Sequence, residues 1–414
     1  MSLCRSTLGS TGDSTQAEQR HVPSTRCARA DGGWWRHRRR PRPRSGAART
    51  TRDAGRTRRA HLGHVGAAPR SAPQRRALRR RRSRGGLECI RENALLKRIA
   101  PGSFECNDGL FVAVCEEDLE YLGPLVEGCT AADIPVQRLS PEEALRLEPN
   151  VNPEVKAAVR VPDATVDPMR LILRFLATAR HNGADIRPFM EVIGLLVHDG
   201  RVSGAALRDH VTGKTGEFHA DLVVNAAGLW SGKVAAMARA SVPIQPSPGV
   251  LLALRGRFCN MVINRMHKSG DGDIVVPQRG LSIVGTTSWV VEDPDDLSVP
   301  EDHVERMYAE GSRLIPALRH AERRAAWSAA RPLVGSGGAA TGRELSRTFQ
   351  TFDHAERDGV ERFVTITGGK STTLRGMAEL CADVVCRKLG IDEPCRTRNT
   401  VLLPHTAYYS AAAA

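Results

Sequence analysis

Phe363-Val364-Thr365-Ile366-Thr367-Gly368-Gly369-Lys370 is the stretch on which the fold turns. The β-branched and aromatic residues of 363–367 predict a strand and Gly368-Gly369 a turn. From Lys370 onward Leu374, Met377, Cys381, Val384 and Val385 recur at helical spacing. A strand–Gly–Gly–helix junction presents free backbone N–H groups and the positive end of a helix dipole, which suits an anion or the electron-rich edge of a ring. Lys370 adds a full positive charge at the same point. Taken alone, such a turn also fits a plain structural corner with a solvated lysine.

A second junction of the same kind lies upstream. Glu191 to Val197, Val202 to Arg208 and Glu217 to Asn225 read as the strands of a β-meander, turning at Asp199-Gly200 and Thr212-Gly213. The last strand ends in Leu222-Val223-Val224-Asn225, apolar enough to be buried on both faces, and runs into Ala226-Ala227-Gly228. Three tiny residues there let another body approach the backbone, or simply allow a tight crossing into a helix near Ser231.

Helix starts elsewhere are well punctuated. Ser140-Pro141-Glu142-Glu143 is a capping box opening a helix through Leu147. Asp167-Pro168 opens a longer one that stops near Gly183, with Met169, Leu173 and Leu176 on its apolar face. Short strands at Val250–Leu254, Met261–Asn264, Ile274–Val276 and Leu281–Gly285 suggest an antiparallel sheet, hence a lobe unlike a doubly wound one.

The composition breaks at Gly86. Residues 1–86 hold 23 Arg, no Lys and four acids, a formal charge of +19, whereas the remaining 328 residues carry 37 basic and 42 acidic groups. One reading is a basic arm for nucleic acid. The other is out-of-frame translation of a GC-rich gene. The segment lacks Ile, Phe, Tyr, Asn and Lys, whose codons are richest in A and T, and its only aromatics are Trp34 and Trp35. Nucleic-acid arms mix Lys with Arg and add aromatics for stacking, so this composition favours the second reading and argues against a nucleic-acid partner. Either way the segment has too few apolar residues for a core and is expected to be disordered.

From Leu87 the length suggests two lobes. The absence of a long apolar run or a leader-like start predicts a cytoplasmic protein, at most peripherally attached to a membrane. The ten cysteines are scattered without a CxxC pair, so zinc and iron–sulfur spacing is lacking and reduced thiols are expected, with no metal site.

Read in order, Glu88-Cys89-Ile90, Asn107-Asp108-Gly109-Leu110-Phe111, Val161-Pro162-Asp163-Ala164-Thr165-Val166-Asp167-Pro168, Val223-Val224-Asn225-Ala226-Ala227-Gly228-Leu229-Trp230, Gly285-Thr286-Thr287-Ser288, Arg331-Pro332-Leu333-Val334, Asp353-His354-Ala355-Glu356-Arg357-Asp358-Gly359 and the opening stretch resemble the FAD-dependent glycerol-3-phosphate dehydrogenases. Among these they are most similar to the A subunit of the anaerobic, quinone-linked enzyme, from about Leu87 to Leu403. The resemblance implies an α/β flavoprotein of the glutathione-reductase-like type. Its FAD domain would include 191–230 and 360–390, interleaved with an antiparallel α+β substrate lobe including 240–350, before a tail at 404–414. It implies oxidation of sn-glycerol 3-phosphate to dihydroxyacetone phosphate, with hydride passing from C2 to flavin N5 and electrons passing through partner subunits to a quinone at the inner face of the plasma membrane.

The same resemblance assigns residues. Arg331 and Arg347 match the substrate-binding arginines, and Lys370 the lysine between substrate and flavin. Gly368, Gly369, Ser371 and Thr372 would meet the pyrimidine edge of the isoalloxazine. Val192, Ala226, Ala227, Gly228 and Trp230 would also touch the cofactor, the first four against its adenosine part. Where the family has a bulky apolar residue and a tyrosine near the helix start, this chain has Ser371 and Leu374. His267, His303 and His354 read as surface loop or helix residues, and the base for the C2 hydroxyl is unassigned. The family's opening strand–GxGxxG–helix, its first βαβ unit, has no counterpart in residues 1–86: Gly46, Gly55, Gly63 and Gly66 stand among Arg and Pro. An amine or 2-hydroxy-acid oxidase, or a remnant unable to hold FAD, are the alternatives.

Overall fold

The computed structural model describes residues 88–268, 270–335 and 348–410. The Arg-rich stretch with its expected disorder, Arg347, and the last residues of the tail lie outside the described residues.

The described residues form four sheets, the smallest a two-stranded antiparallel pair of Phe104–Glu105 with Thr165–Val166. The largest has eight strands in the order Arg323–Val334, Ile244–Arg255, Leu281–Gly285, Ile274–Gln278, Val262–Arg265, Gly109–Ala113, Ala157–Val161, Gln137–Leu139. Every pairing is antiparallel except that of Val262–Arg265 with Gly109–Ala113. The four strands read at 250–285 are therefore present and consecutive in one sheet. Alternation along Ile244–Arg255 sends Val250, Leu252 and Leu254 to one face, where they bury against Val304, Met307 and Leu314 of the helix Glu301–Leu314. Removing those three helix side chains from water stabilises the layer by roughly 6 kcal/mol, before the entropy of ordering them. Leu251 and Ala253 face the other way, onto Ile283 and Ala329.

A second sheet joins Gln350–Asp353, Phe363–Thr367 and Val223–Asn225. The last two run parallel, Phe363 opposite Val223 and Thr365 opposite Asn225. A parallel pair needs a long crossover, and here the excursion between its strands carries most of the antiparallel lobe. The third sheet is the meander Met190–His198, Arg201–Asp209, Thr215–His219, tied to the parallel sheet where the Val202 N–H donates to the Glu361 carbonyl at 3.0 Å and the Glu361 N–H to the Gly200 carbonyl at 2.8 Å.

The capping box at Ser140 is present. The Glu143 N–H donates to Ser140 Oγ at 3.2 Å, the Ser140 N–H to Glu143 Oε2 at 2.8 Å, and the helix runs Pro141–Leu147. Asp167 caps Pro168–His181 through the Arg170 N–H.

Several expectations need correction. The strand read as 217–225 is two, Thr215–His219 and Val223–Asn225, because the chain leaves the meander at Ala220 to join the parallel sheet. Val224 is 41% exposed, so the second piece is not buried on both faces: it forms an edge of its sheet. The helix Pro168–His181 buries Leu171, Arg174 and Ala177 rather than the Met169 stripe, since Leu171 must reach Leu96, Ile99 and Leu402. Helical structure after Lys370 begins as a single 3₁₀ turn, Ser371–Thr373, and becomes α-helical at Leu374.

Candidate active site

Two turns stand side by side at the carboxyl ends of the two parallel strands, the place where open α/β sheets leave a crevice. Ala226–Gly228 follows one strand, Gly368–Lys370 the other, and Thr367 Oγ1 donates to the Gly228 carbonyl at 3.4 Å. The register of the parallel pair thus brings together the two junctions that the sequence suggests.

The Gly368-Gly369 turn accepts only glycine. Both residues sit at φ +83°. A Cβ on Gly368 would lie 2.7 Å from the Thr348 carbonyl oxygen, and one on Gly369 would run into Met377 Sδ. The Lys370 carbonyl accepts from the Thr373 N–H at 2.9 Å and from Thr373 Oγ1 at 3.1 Å, closing the 3₁₀ turn. The N–H groups of Gly369, Ser371 and Thr372 have no acceptor among the described residues, as expected for the first positions of a helix. Ser371 is exposed and Thr372 buried. Lys370 is half-buried, its Nζ 3.6 Å from Cys89 Sγ. Beside it, burial first and then the Glu92 carboxylate hold the Glu88 carboxyl above its usual range, while Lys370 opposes the shift.

The Ala226–Gly228 turn rests on a buried polar chain. The Asn225 side chain accepts from the Ala227 N–H at 3.2 Å and donates to Thr365 Oγ1 at 3.1 Å. His354 Nε2 lies 2.7 Å from the same hydroxyl, and His354 Nδ1 lies 2.6 Å from Asp358 Oδ2. His354 is 0% exposed and stacks on Phe363, so it is no surface residue: it opens a helix but faces inward. His267 and His303 are likewise partly enclosed. Trp230 lies at the end of the turn's 3₁₀ segment, its Nε1 donating to Asp295 at 3.0 Å. Val192 lies on an edge strand of the meander and is 36% exposed.

Arg331 enters from the long sheet. Its strand ends at Val334, whose Cγ2 is 3.3 Å from where a Cβ of Gly368 would be, so the strand abuts the glycine turn. Arg331 is three residues back, about 10 Å along the strand. Its Nη1 donates to the carbonyls of Ser247 at 3.3 Å and Pro248 at 3.5 Å, and its Nη2 to Thr286 Oγ1 at 2.7 Å.

Sequence reasoning passes over a further layer. The first described helix, residues 88–99, places Glu92 against Arg375, which is 1% exposed in the helix that follows Lys370. The guanidinium donates to Glu92 from Nε at 2.9 Å and from Nη2 at 2.5 Å, to Glu379 at 2.7 Å and to Thr397 at 3.0 Å. Two helices far apart in sequence are clamped by one arginine, a pairing that only the tertiary fold reveals.

Residues 17–384 match the family model described as FAD dependent oxidoreductase. The chain belongs to that family of flavoprotein oxidoreductases. It is 42% identical over 317 residues to the A subunit of the anaerobic glycerol-3-phosphate dehydrogenase of Escherichia coli K12, covering 76% of this chain and 58% of the relative. To the A1 subunit of the corresponding Haloferax volcanii enzyme it is 40% identical over 326 residues, covering 76% and 56%. The chain therefore spans less than two thirds of the curated relatives it matches. Among solved structures, the glycerol-3-phosphate dehydrogenase of Bacillus halodurans complexed with FAD shares the fold at a TM-score of 0.61 and 23% identity, over 76% of this chain and 58% of that one.

The family's cofactor is FAD, and the residues present fit one side of it. Gly368 and Gly369 leave no room for side chains, the N–H groups of Gly369, Ser371 and Thr372 lack acceptors among the described residues, and a lysine stands at the junction. The described residues contain no GxGxxG turn that would hold its pyrophosphate.

Proposed function

We propose that this chain oxidises sn-glycerol 3-phosphate to dihydroxyacetone phosphate with FAD as cofactor. Electrons leave through partner subunits to a membrane quinone at the inner face of the plasma membrane. The observation that carries the reading is the convergence of Lys370, at the glycine turn, with the strand that bears Arg331. A phosphate dianion calls for a guanidinium fork, which Arg331 provides and Arg347 complements.

Bound FAD supplies the hydride acceptor. Gly368, Gly369, Ser371 and Thr372 would hold the ring edge through backbone N–H groups, while Val192, Ala226, Ala227 and Gly228 would line the adenosine part and Trp230 would add a further contact to the cofactor. Lys370 Nζ would stabilise the negative charge that develops as hydride leaves C2, and Arg331 would anchor the phosphate end. The existence of partner subunits is supported by the names of the relatives, which are those of enzyme subunits. Among the described residues no helix is long and apolar enough to cross a membrane.

A dye-coupled assay with glycerol 3-phosphate, sarcosine and 2-hydroxyglutarate tests the reading. Turnover with glycerol 3-phosphate alone is expected. A preference for sarcosine or 2-hydroxyglutarate would assign the chain to the amine or hydroxy-acid oxidases that share this fold.

A further inference from the structure

Arg331 does not lie in its own strand's space. Its backbone pairs with Ser247 on the neighbouring strand, and its side chain crosses that strand over Gly249 to reach Thr286, which follows the third strand of the sheet, Leu281–Gly285. The crossing requires a glycine. A Cβ at Gly249 would collide with Thr286 Oγ1 and the Thr287 carbonyl and stand 3.0 Å from Arg331 Nη2. Gly249 is buried in a strand with no positive φ to explain it, so close approach of side chains accounts for its identity.

The direction of the hydrogen bonds at Thr286 is determined. Thr286 Oγ1 donates its proton to the Thr287 carbonyl at 2.6 Å, and therefore meets Arg331 Nη2 as an acceptor at 2.7 Å. The corner is held in turn by the Val250 N–H, which donates to Thr287 Oγ1 at 3.0 Å. Thr287 is fully buried and Thr286 nearly so. The far end of the guanidinium is thus tied to a hydroxyl that is itself hydrogen-bonded to the Thr287 carbonyl.

From this we infer that Thr286, with Gly249 beneath the crossing, is a positioning residue for Arg331: it fixes the orientation in which the guanidinium meets the phosphate. The inference rests on the reading of Arg331 as a phosphate ligand. Thr286 itself need not touch substrate. Its effect falls on anion binding, because misorienting a fork costs the second of two parallel hydrogen bonds.

Calorimetric titration of the full chain with sn-glycerol 3-phosphate and with inorganic phosphate tests it, on wild type, Thr286→Val, Thr286→Ser and Arg331→Lys. Thr286→Val keeps the shape and removes the acceptor, and should weaken both ligands about tenfold, the scale of one charge-assisted hydrogen bond. Thr286→Ser should bind within about threefold of wild type. In the dye-coupled assay KM should rise by a larger factor in Thr286→Val than kcat falls. Unchanged binding in Thr286→Val, with Arg331→Lys weakened, overturns the positioning role. So does equal weakening in Thr286→Val and Thr286→Ser, which would trace the effect to packing. If Arg331→Lys itself binds as wild type, the assignment of Arg331 fails first and takes the inference with it.

Discussion

Asp163 is buried between the first described helix and the long sheet, with Oδ1 accepting from the Ala164 N–H at 2.8 Å and Lys97 Nζ donating to its backbone carbonyl at 3.2 Å. Burial pushes its carboxyl up to about 7, against the pull of the Ala164 N–H and Lys97. The folded protein therefore holds this proton more tightly than the unfolded chain does. The stabilisation is complete below the unfolded value near 4 and is lost as pH rises toward 7, a loss of a few kcal/mol. Asp163→Asn should match wild type near pH 4 and be the more stable of the two at pH 8, as read by urea melts. Equal pH dependence in the two proteins would show that the carboxyl does not titrate in this way. At this scale the sequence was informative wherever chemistry and backbone need coincide: Gly368, Gly369 and Lys370 sit as their order suggests. Thr286 and Gly249 were not legible as partners of Arg331, because their meeting depends on the register of three strands.

Between elements, the helix at 88–99 is clamped onto Leu374–Leu389, the helix that follows the glycine turn, through Glu92 and Arg375. Removing one partner of a buried ion pair leaves the other charge without compensation, although Glu379 remains to share Arg375. Glu92→Ala should cost about 3 kcal/mol in urea unfolding. A loss below about 1 kcal/mol would mean that Glu379 and Thr397 suffice to hold Arg375. Strands and capped helices were readable from local pattern, down to the capping box at Ser140. What pattern could not supply was the facing of Pro168–His181, decided by Leu96, Ile99 and Leu402 from outside its own sequence. Nor could it show the parting of Thr215–His219 from Val223–Asn225, which a run of strand-forming residues conceals.

Across the whole molecule, an antiparallel lobe and a parallel sheet meet at the turns after Asn225 and Thr367, with the strand of Arg331 joining them from the lobe. The antiparallel sheet and the two strand–glycine–helix junctions were legible because short turn-separated strands and such junctions carry different signatures. The exposed Val224 edge was not, since apolarity alone cannot tell a central strand from an edge strand. These features support the proposed pairing of a flavin site with a phosphate site. The direct test is to purify the full chain, supply FAD, and add glycerol 3-phosphate without oxygen while recording the visible spectrum. The account predicts a yellow protein that glycerol 3-phosphate bleaches and sarcosine does not. A protein that stays colourless after FAD is supplied, or a bound flavin that glycerol 3-phosphate leaves oxidised, would contradict it.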